Sequence, residues 1–333
     1  MKPKLKPLSD QIVVLTGASS GIGLATARMA AERGAHVVLV SRDDEDLARA
    51  SRDIQDRGGR ASHYVADVAD GSAVRGLAQH VVSEFGRIDT WVNNAGVSVY
   101  GRIEDVSLED ARRLFETNYW GVVNGSLAAL PHLRSGGGAL INIGSILSDT
   151  GYPLQGHYAA SKHAVKGFTD SLRLEVEESG APVAITLIQP AAIDTPYPEH
   201  AKSYLGVAPK HLPPVYAPEV VAAAILRCAE KPERNVLVGG SGKVFAASEK
   251  YAPRLFDLMK EATAFEGQQS GLPTRDDDTL HRPRSGDGRV YGNYPGRVLQ
   301  SSAYTTARLH RGRTLLGLAV IGAGLLVANR SRN

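Results

Sequence analysis

The chain has 333 residues, 43 % of them hydrophobic and 22 % charged, with a formal net charge of +3, which suits one large α/β domain with an appendage. So small a charge points to no nucleic acid or other polyanionic partner, and a single cysteine, Cys228, excludes a disulfide framework or a cysteine-based zinc cluster, so no metal site is expected. The basic, proline-interrupted N-terminus has no apolar run behind it and does not read as a signal peptide, so a cytoplasmic catalytic domain is expected.

Residues 12–15 are a short β-branched apolar run, followed at once by Thr16-Gly17-Ala18-Ser19-Ser20-Gly21-Ile22-Gly23. An alanine-rich helical stretch, 24–32, ends at Arg33-Gly34, and 36–40 reads as a second buried strand. Strand, glycine-rich turn, helix and strand is the context in which such a loop cradles a dinucleotide's phosphates, because the glycines let the backbone approach and the helix start offers free N–H groups. The second strand ends in Ser41-Arg42 rather than in an acid. A guanidinium there can fork onto a 2′-phosphate, which favours NADP(H) over NAD(H). The alternative is a solvated arginine opening the next helix, 43–57.

A third strand is expected at 61–65. Asp67 then either accepts from an adenine amino group or caps the helix beginning near Asp70. The stretch 87–92 leads into Asn93-Asn94-Ala95-Gly96 at a strand's carboxyl end, where open α/β sheets bind ligands. In the long helical segment 107–133, Asn118 is a polar amide among apolar neighbours, there either to satisfy backbone or to hold a water. A fifth strand, 138–143, delivers Ser145. A Gly- and Pro-bearing loop, 149–155, then precedes the helix that carries Tyr158-Ala159-Ala160-Ser161-Lys162. Tyr158 and Lys162 lie one turn apart on one face, and an ammonium beside a phenol is expected to pull the phenol pKa down from ~10 towards neutrality. A tyrosine so tuned exchanges a proton with a carbonyl or alcohol oxygen. A sixth strand, 183–188, is followed by a Pro-rich, aromatic-bearing loop, 196–216, expected to be a lid or substrate loop. A helix at 218–230 and a short last strand at 235–238 follow.

Taken together, Thr16-Gly17-x-x-x-Gly21-x-Gly23, Asp67, Asn93-Asn94-Ala95-Gly96, Asn118, Ser145 and Tyr158-x-x-x-Lys162 resemble the short-chain dehydrogenase/reductase family, in order and spacing, across roughly residues 10–240. The resemblance implies a doubly wound Rossmann fold: a mainly parallel seven-stranded sheet with helices on both faces. It implies Tyr158 as catalytic acid/base, Ser145 orienting a carbonyl, Lys162 on the nicotinamide ribose, and Asn118 positioning a water. Cofactor contacts would come from Gly17, Ser19, Ser20, Gly21, Ile22, Gly23, Arg42, Asp67, Val68, Asn94, Ala95, Gly96, Pro190, Ile193 and Thr195. Pro190-Ala191 stands where the family usually has Pro-Gly, which weakens the expectation for Ile193 and Thr195. Homodimer or homotetramer formation through the long 107–133 and Tyr158 helices is a family expectation.

The expected organisation is a catalytic domain at 8–264, a flexible linker at 265–312 and a hydrophobic helix at 313–330. The linker rests on Gly, Pro, Asp and Arg without apolar periodicity over 267–297. The last segment, uncharged over 315–328 with basic flanks, is either a membrane anchor or a helix docking on protein. The function expected is an NADP(H)-dependent oxidoreductase interconverting a ketone or aldehyde and an alcohol. The aromatic and apolar character around Tyr152, Pro153, Tyr197, Tyr204 and Leu205 suits a hydrophobic lipid-, steroid- or quinone-like substrate. The alternative is a non-catalytic NADP(H) sensor or scaffold.

Overall fold

A computed structural model describes residues 3–309. Seven strands form one sheet: β1 (Ile12–Thr16), β2 (His36–Ser41), β3 (Arg60–Val65), β4 (Thr90–Asn93), β5 (Gly138–Ile143), β6 (Val183–Pro190) and β7 (Asn235–Val238). All neighbours are parallel, in the order β7-β6-β5-β4-β1-β2-β3. β1, β4, β5 and β6 are buried along their whole length, which is why they read as continuous apolar runs rather than alternating ones.

Helices cover both faces. On one, α1 (Gly21–Glu32), α2 (Asp44–Asp56) and α7 (Pro218–Glu230) enclose a core that includes Leu15, Leu39, Leu47, Ile141 and Ile225. On the other, α3 (Gly71–Phe85), α5 (Gly121–Gly136) and α6 (Gly156–Glu178) bury Val14, Leu77, Trp91, Leu133 and Leu140. α4 (Leu108–Phe115) runs into α5 through one π-helical turn, Glu116–Trp120, which carries Asn118. Two more helices, α8 (Gly240–Tyr251) and α9 (Pro253–Gly267), follow β7.

The strand order reverses between β1 and β4, so the loops after these strands diverge and leave a cleft at their carboxyl ends. A buried amide network fixes the floor beneath it. Asn93 accepts from the Trp91 indole at 2.8 Å and donates to Asn142 at 2.8 Å and Ser126 at 3.1 Å, and Asn142 donates to Thr169 at 3.0 Å. All five groups thus keep the partners that buried polar atoms require.

The segment expected to be a flexible linker is laid back across the body. Gln269–Pro273 pairs antiparallel with Val207–Pro209, and Val298–Leu299 pairs parallel with Val215–Tyr216. Leu280 is fully buried against Val97, Val106 and Leu114. α10 (Ala303–Leu309) packs at the far end, where Thr305 accepts from the Gly239 amide at 3.0 Å and Leu309 joins the first core. Composition hid this because the apolar anchors Leu280, Val290, Leu299 and Leu309 are too widely spaced for periodicity, while carboxylates of the body satisfy the polar chain between them. The segment expected to be a hydrophobic helix at 313–330 lies outside the described residues. Among the described residues no helix is long and apolar enough to cross a membrane.

If 268–309 is integral, Leu280→Ala should destabilise the protein by about 2–5 kcal/mol, the range for truncating a buried leucine, measured by urea unfolding. A solvated linker residue would change it by less than ~0.5 kcal/mol.

Candidate active site

The glycine-rich loop is clasped to the end of β4. The Thr16 hydroxyl accepts from the Asn94 and Ala95 amides at 3.0 and 3.1 Å, and the Asn94 side chain donates to the Thr16 and Gly17 carbonyls at 2.9 and 3.1 Å. Gly17 has φ +66°, and a Cβ on Gly23 would lie 2.0 Å from the Gly17 carbonyl oxygen. Only glycine permits that turn and that approach. α1 begins at Gly21 with no side chain capping it; the Gly21 amide donates to the Arg289 carbonyl at 2.9 Å, and Ser19, Ser20, Gly21 and Ile22 line the cleft.

Beyond the loop, the cleft runs past Arg42, Asp67, Val68, Asn94, Ala95, Gly96 and Thr195. The Arg42 guanidinium donates to the Thr279 and Leu280 carbonyls and makes no ion pair among the described residues. Asp67 does not cap α3; Asp70 does, accepting from the Ser72 and Ala73 amides. Asp67 instead accepts from the Ala69 amide at 3.0 Å and pairs with Arg113 at 2.6 Å. Val68 packs in the second core, against Gly121.

The cleft continues into a second chamber lined by Ile22, Asn94, Gly96, Ser145, Tyr158, Lys162, Pro190, Ile193 and Thr195. Ser145 opens a single 3-10 turn and accepts from the Leu147 amide at 3.1 Å. Lys162 is buried and donates to the Ile143 carbonyl at 2.9 Å, its Nζ 5.7 Å from the centre of the Tyr158 ring. Burial pushes Lys162 down to about 8, leaving it mostly protonated at neutral pH. Asn118 is fully buried and grips Val97, accepting from its amide at 2.8 Å and donating to its carbonyl at 3.0 Å. The same side-chain amide also donates to the Ser161 hydroxyl at 3.2 Å. Ala191 donates to the Val238 carbonyl at 2.9 Å, and its φ is not positive, so alanine in place of the usual glycine costs no strain.

The expected fall in the Tyr158 pKa is not what this arrangement produces. Burial raises it, and the Tyr197 and Ser145 hydroxyls facing the phenol only partly offset that. Desolvation of the phenolate outweighs an ammonium whose nearest partner is the Ile143 carbonyl.

A third chamber opens from Tyr158, walled by Tyr100, Leu147, Tyr152, Gln155, Tyr197, His211, Leu212, Phe245 and Gln268. Of the residues expected to shape substrate choice, Tyr152 and Tyr197 are here. Pro153, Tyr204 and Leu205 are not, and Tyr204 donates to Asp110 at 2.6 Å instead. The 196–216 loop is ordered by short pairings, Lys202–Ser203 with Val99–Tyr100 among them. His211, stacked on Tyr197 at 6.1 Å with its Nε2 unpartnered among the described residues, was not singled out by sequence, since nothing in a loop without periodicity marks it.

A profile of the family described as short chain dehydrogenase matches residues 11–204. The Bacillus subtilis protein "Uncharacterized oxidoreductase YxnA" is 44 % identical over 98 % of this chain and 91 % of its own length, so the match takes in residues 268–309. Two solved structures cover less of the chain. The Thermococcus sibiricus alcohol dehydrogenase complexed with 5-hydroxy-NADP has 25 % identity and TM-score 0.61 over 68 % of this chain and 95 % of its own. A metagenomic short-chain oxidoreductase in complex with NADP has 28 % identity and TM-score 0.59 over 69 % and 97 %. The chain belongs to the short-chain dehydrogenase family.

Two half-buried histidines give the site a pH signature. His200, beside Arg284, and His211 are each pushed down to about 4, chiefly by burial. With folded values below the unfolded ~6.5, the folded state binds fewer protons, so stability present above that value is lost as pH falls from ~6.5 to ~4. Each ring contributes at most about 1.4 kcal/mol per pH unit. Urea midpoints should fall between neutrality and mild acid, with a shallower decline in His211→Asn; an unaltered slope in that variant would refute the assignment.

Proposed function

We propose that the protein is an NADP(H)-dependent oxidoreductase that reduces a carbonyl to an alcohol, with Tyr158 as proton donor. The observation that carries this is the convergence of Ser145, Tyr158 and Lys162 in a chamber that shares Ile22, Asn94, Gly96 and Thr195 with the glycine-loop cleft. A dinucleotide fits the residues present: a loop with no room for side chains, a helix start without a side-chain cap and a guanidinium with no carboxylate partner among the described residues. The two similar structures above, complexed with 5-hydroxy-NADP and with NADP, support that choice. When bound, the reduced nicotinamide supplies the hydride equivalent.

Ser145 holds the carbonyl oxygen of the substrate and Tyr158 gives it a proton as its carbon is reduced. Burial keeps Tyr158 protonated at neutral pH, the state a reduction requires. The phenolate left behind is stabilised by the Lys162 ammonium and by the Ser145 and Tyr197 hydroxyls. The aromatic walls of the third chamber suit a hydrophobic carbonyl, with Gln155, His211 and Gln268 as polar anchors.

A second copy of the chain is the proposed partner. Leu108 and Leu127, on α4 and α5, and Leu174, on α6, are large apolar side chains 56–68 % exposed on the helices expected to associate.

The direct test is NADPH and NADH oxidation across a panel from small aldehydes to steroid ketones. Tyr158→Phe should lower kcat by at least ~100-fold with dinucleotide affinity unchanged. Arg42→Ala should weaken NADPH at least ~10-fold and leave NADH within ~2-fold, about one charge-assisted contact. Tight binding without turnover of any carbonyl would sink the reductase reading. Leu127→Asp should shift the mass measured by light scattering towards the monomer, and a monomeric wild type would dismiss the dimer.

A further inference from the structure

The residues after α9 reach the cleft from outside and touch its glycine-rich loop, the end of β2, the start of α2 and the far wall at 195–200. At the phosphate loop, the Arg289 carbonyl accepts from the Gly21 amide at 2.9 Å. A Cβ on Gly288 would lie 3.1 Å from the Ser19 carbonyl oxygen, and one on Gly292 would lie 2.4 Å from that of Thr195. The chain is therefore closely packed on the loop at Gly288, and at Gly292 it approaches the backbone of Thr195 more closely than any side chain would allow. At the end of β2, Arg42 donates to Thr279 and Leu280. At the start of α2, Ser285 donates to Asp43, and the Gly286 amide donates to Asp46 at 3.1 Å. The far side of the cleft contributes as well. Thr279 donates to the His200 carbonyl at 2.9 Å, and Glu199 accepts from the Asn293 amide at 3.1 Å and from Arg289.

These contacts surround the cleft without filling it, because Thr279, Pro283, Arg284 and Asp287 remain among its lining. Each carboxylate that faces it is already engaged: Asp43 by Ser285, Asp46 by Arg49, Asp67 by Arg113, and Asp287 by Arg284, Arg289 and His200. Arg284 is mostly buried. It pairs with Asp287 and, at 3.6 Å, with Asp277, and its Nη1 lies 3.4 Å from the Glu199 carbonyl. Those partners take only part of a guanidinium's five N–H donors and hold the rest in place at the cleft wall.

We propose that residues 279–292 are the outer wall of the cofactor site, a strap under which the adenosine half of the dinucleotide is held, with Arg284 a ligand to one of its phosphates. This rests on the dinucleotide reading of the cleft. Its consequence is that part of the binding site lies in a segment beyond the 11–204 family match.

Hydrogen–deuterium exchange on the full chain, with and without saturating NADPH, tests the strap. Exchange should slow at least ~10-fold in peptides covering 17–23 and in those covering 279–292. Slowing at 17–23 alone, or faster exchange at 279–292, would overturn the strap while leaving the dinucleotide reading intact. No slowing at either would overturn both. Equilibrium binding by calorimetry then tests Arg284. Arg284→Gln should weaken NADPH at least ~5-fold and Arg284→Lys should retain most of the affinity. A loss confined to NADPH assigns Arg284 to the 2′-phosphate, and an equal loss for NADH assigns it to the pyrophosphate. Unchanged affinity for both would remove Arg284 from the site.

Discussion

An ammonium buried beside a phenol is the constraint on which the rest of this structure depends. Lys162 has lost its water and keeps the Ile143 carbonyl as its partner, and its pKa falls to about 8 in consequence. The Tyr158 phenol shares that desolvation and moves the other way. Each group is thereby held closer to its uncharged form than it would be in water. The pair is placed at the rim of β5 by α6, to which Asn118 donates at the Ser161 hydroxyl, 3.2 Å away. Asn118 fixes Val97 behind it, and the Asn93–Asn142–Thr169 network fixes the strand ends below.

The parallel sheet explains why these groups meet. Loops leaving the carboxyl ends of neighbouring strands point the same way, and the reversal between β1 and β4 opens the space into which they point. Thr16 and Asn94 close the two sides of that reversal onto each other. The extension completes the enclosure from the open side, using main-chain carbonyls and body carboxylates rather than a hydrophobic core of its own.

Much of this was legible in the sequence. Buried parallel strands announce themselves as short β-branched runs, and the glycines and amides after them mark the cleft, so the carboxyl ends of the strands that lead into Gly17, Asn94 and Ser145 were found within a residue. Three things were not legible. The direction of the Tyr158 shift depends on the balance of burial against charge, and sequence spacing shows the charge but not the burial. Asp67 was left open between adenine and a helix cap; the cap proved to be Asp70, and Arg113, which claims Asp67, comes from a distant helix. The extension read as a linker because Leu280, Val290 and Leu309 bury themselves against the body one at a time, leaving no period to detect.

The measurement that bears most directly on the account is the ionisation of Tyr158 in the ligand-free protein. It is obtained as the difference in tyrosinate absorbance between wild type and Tyr158→Phe across a pH titration. The account predicts a phenol that stays protonated through and above the ordinary tyrosine range near 10. A single tyrosinate appearing near neutral pH in the wild type alone would contradict it, and would mean that the Lys162 charge, not burial, governs the site.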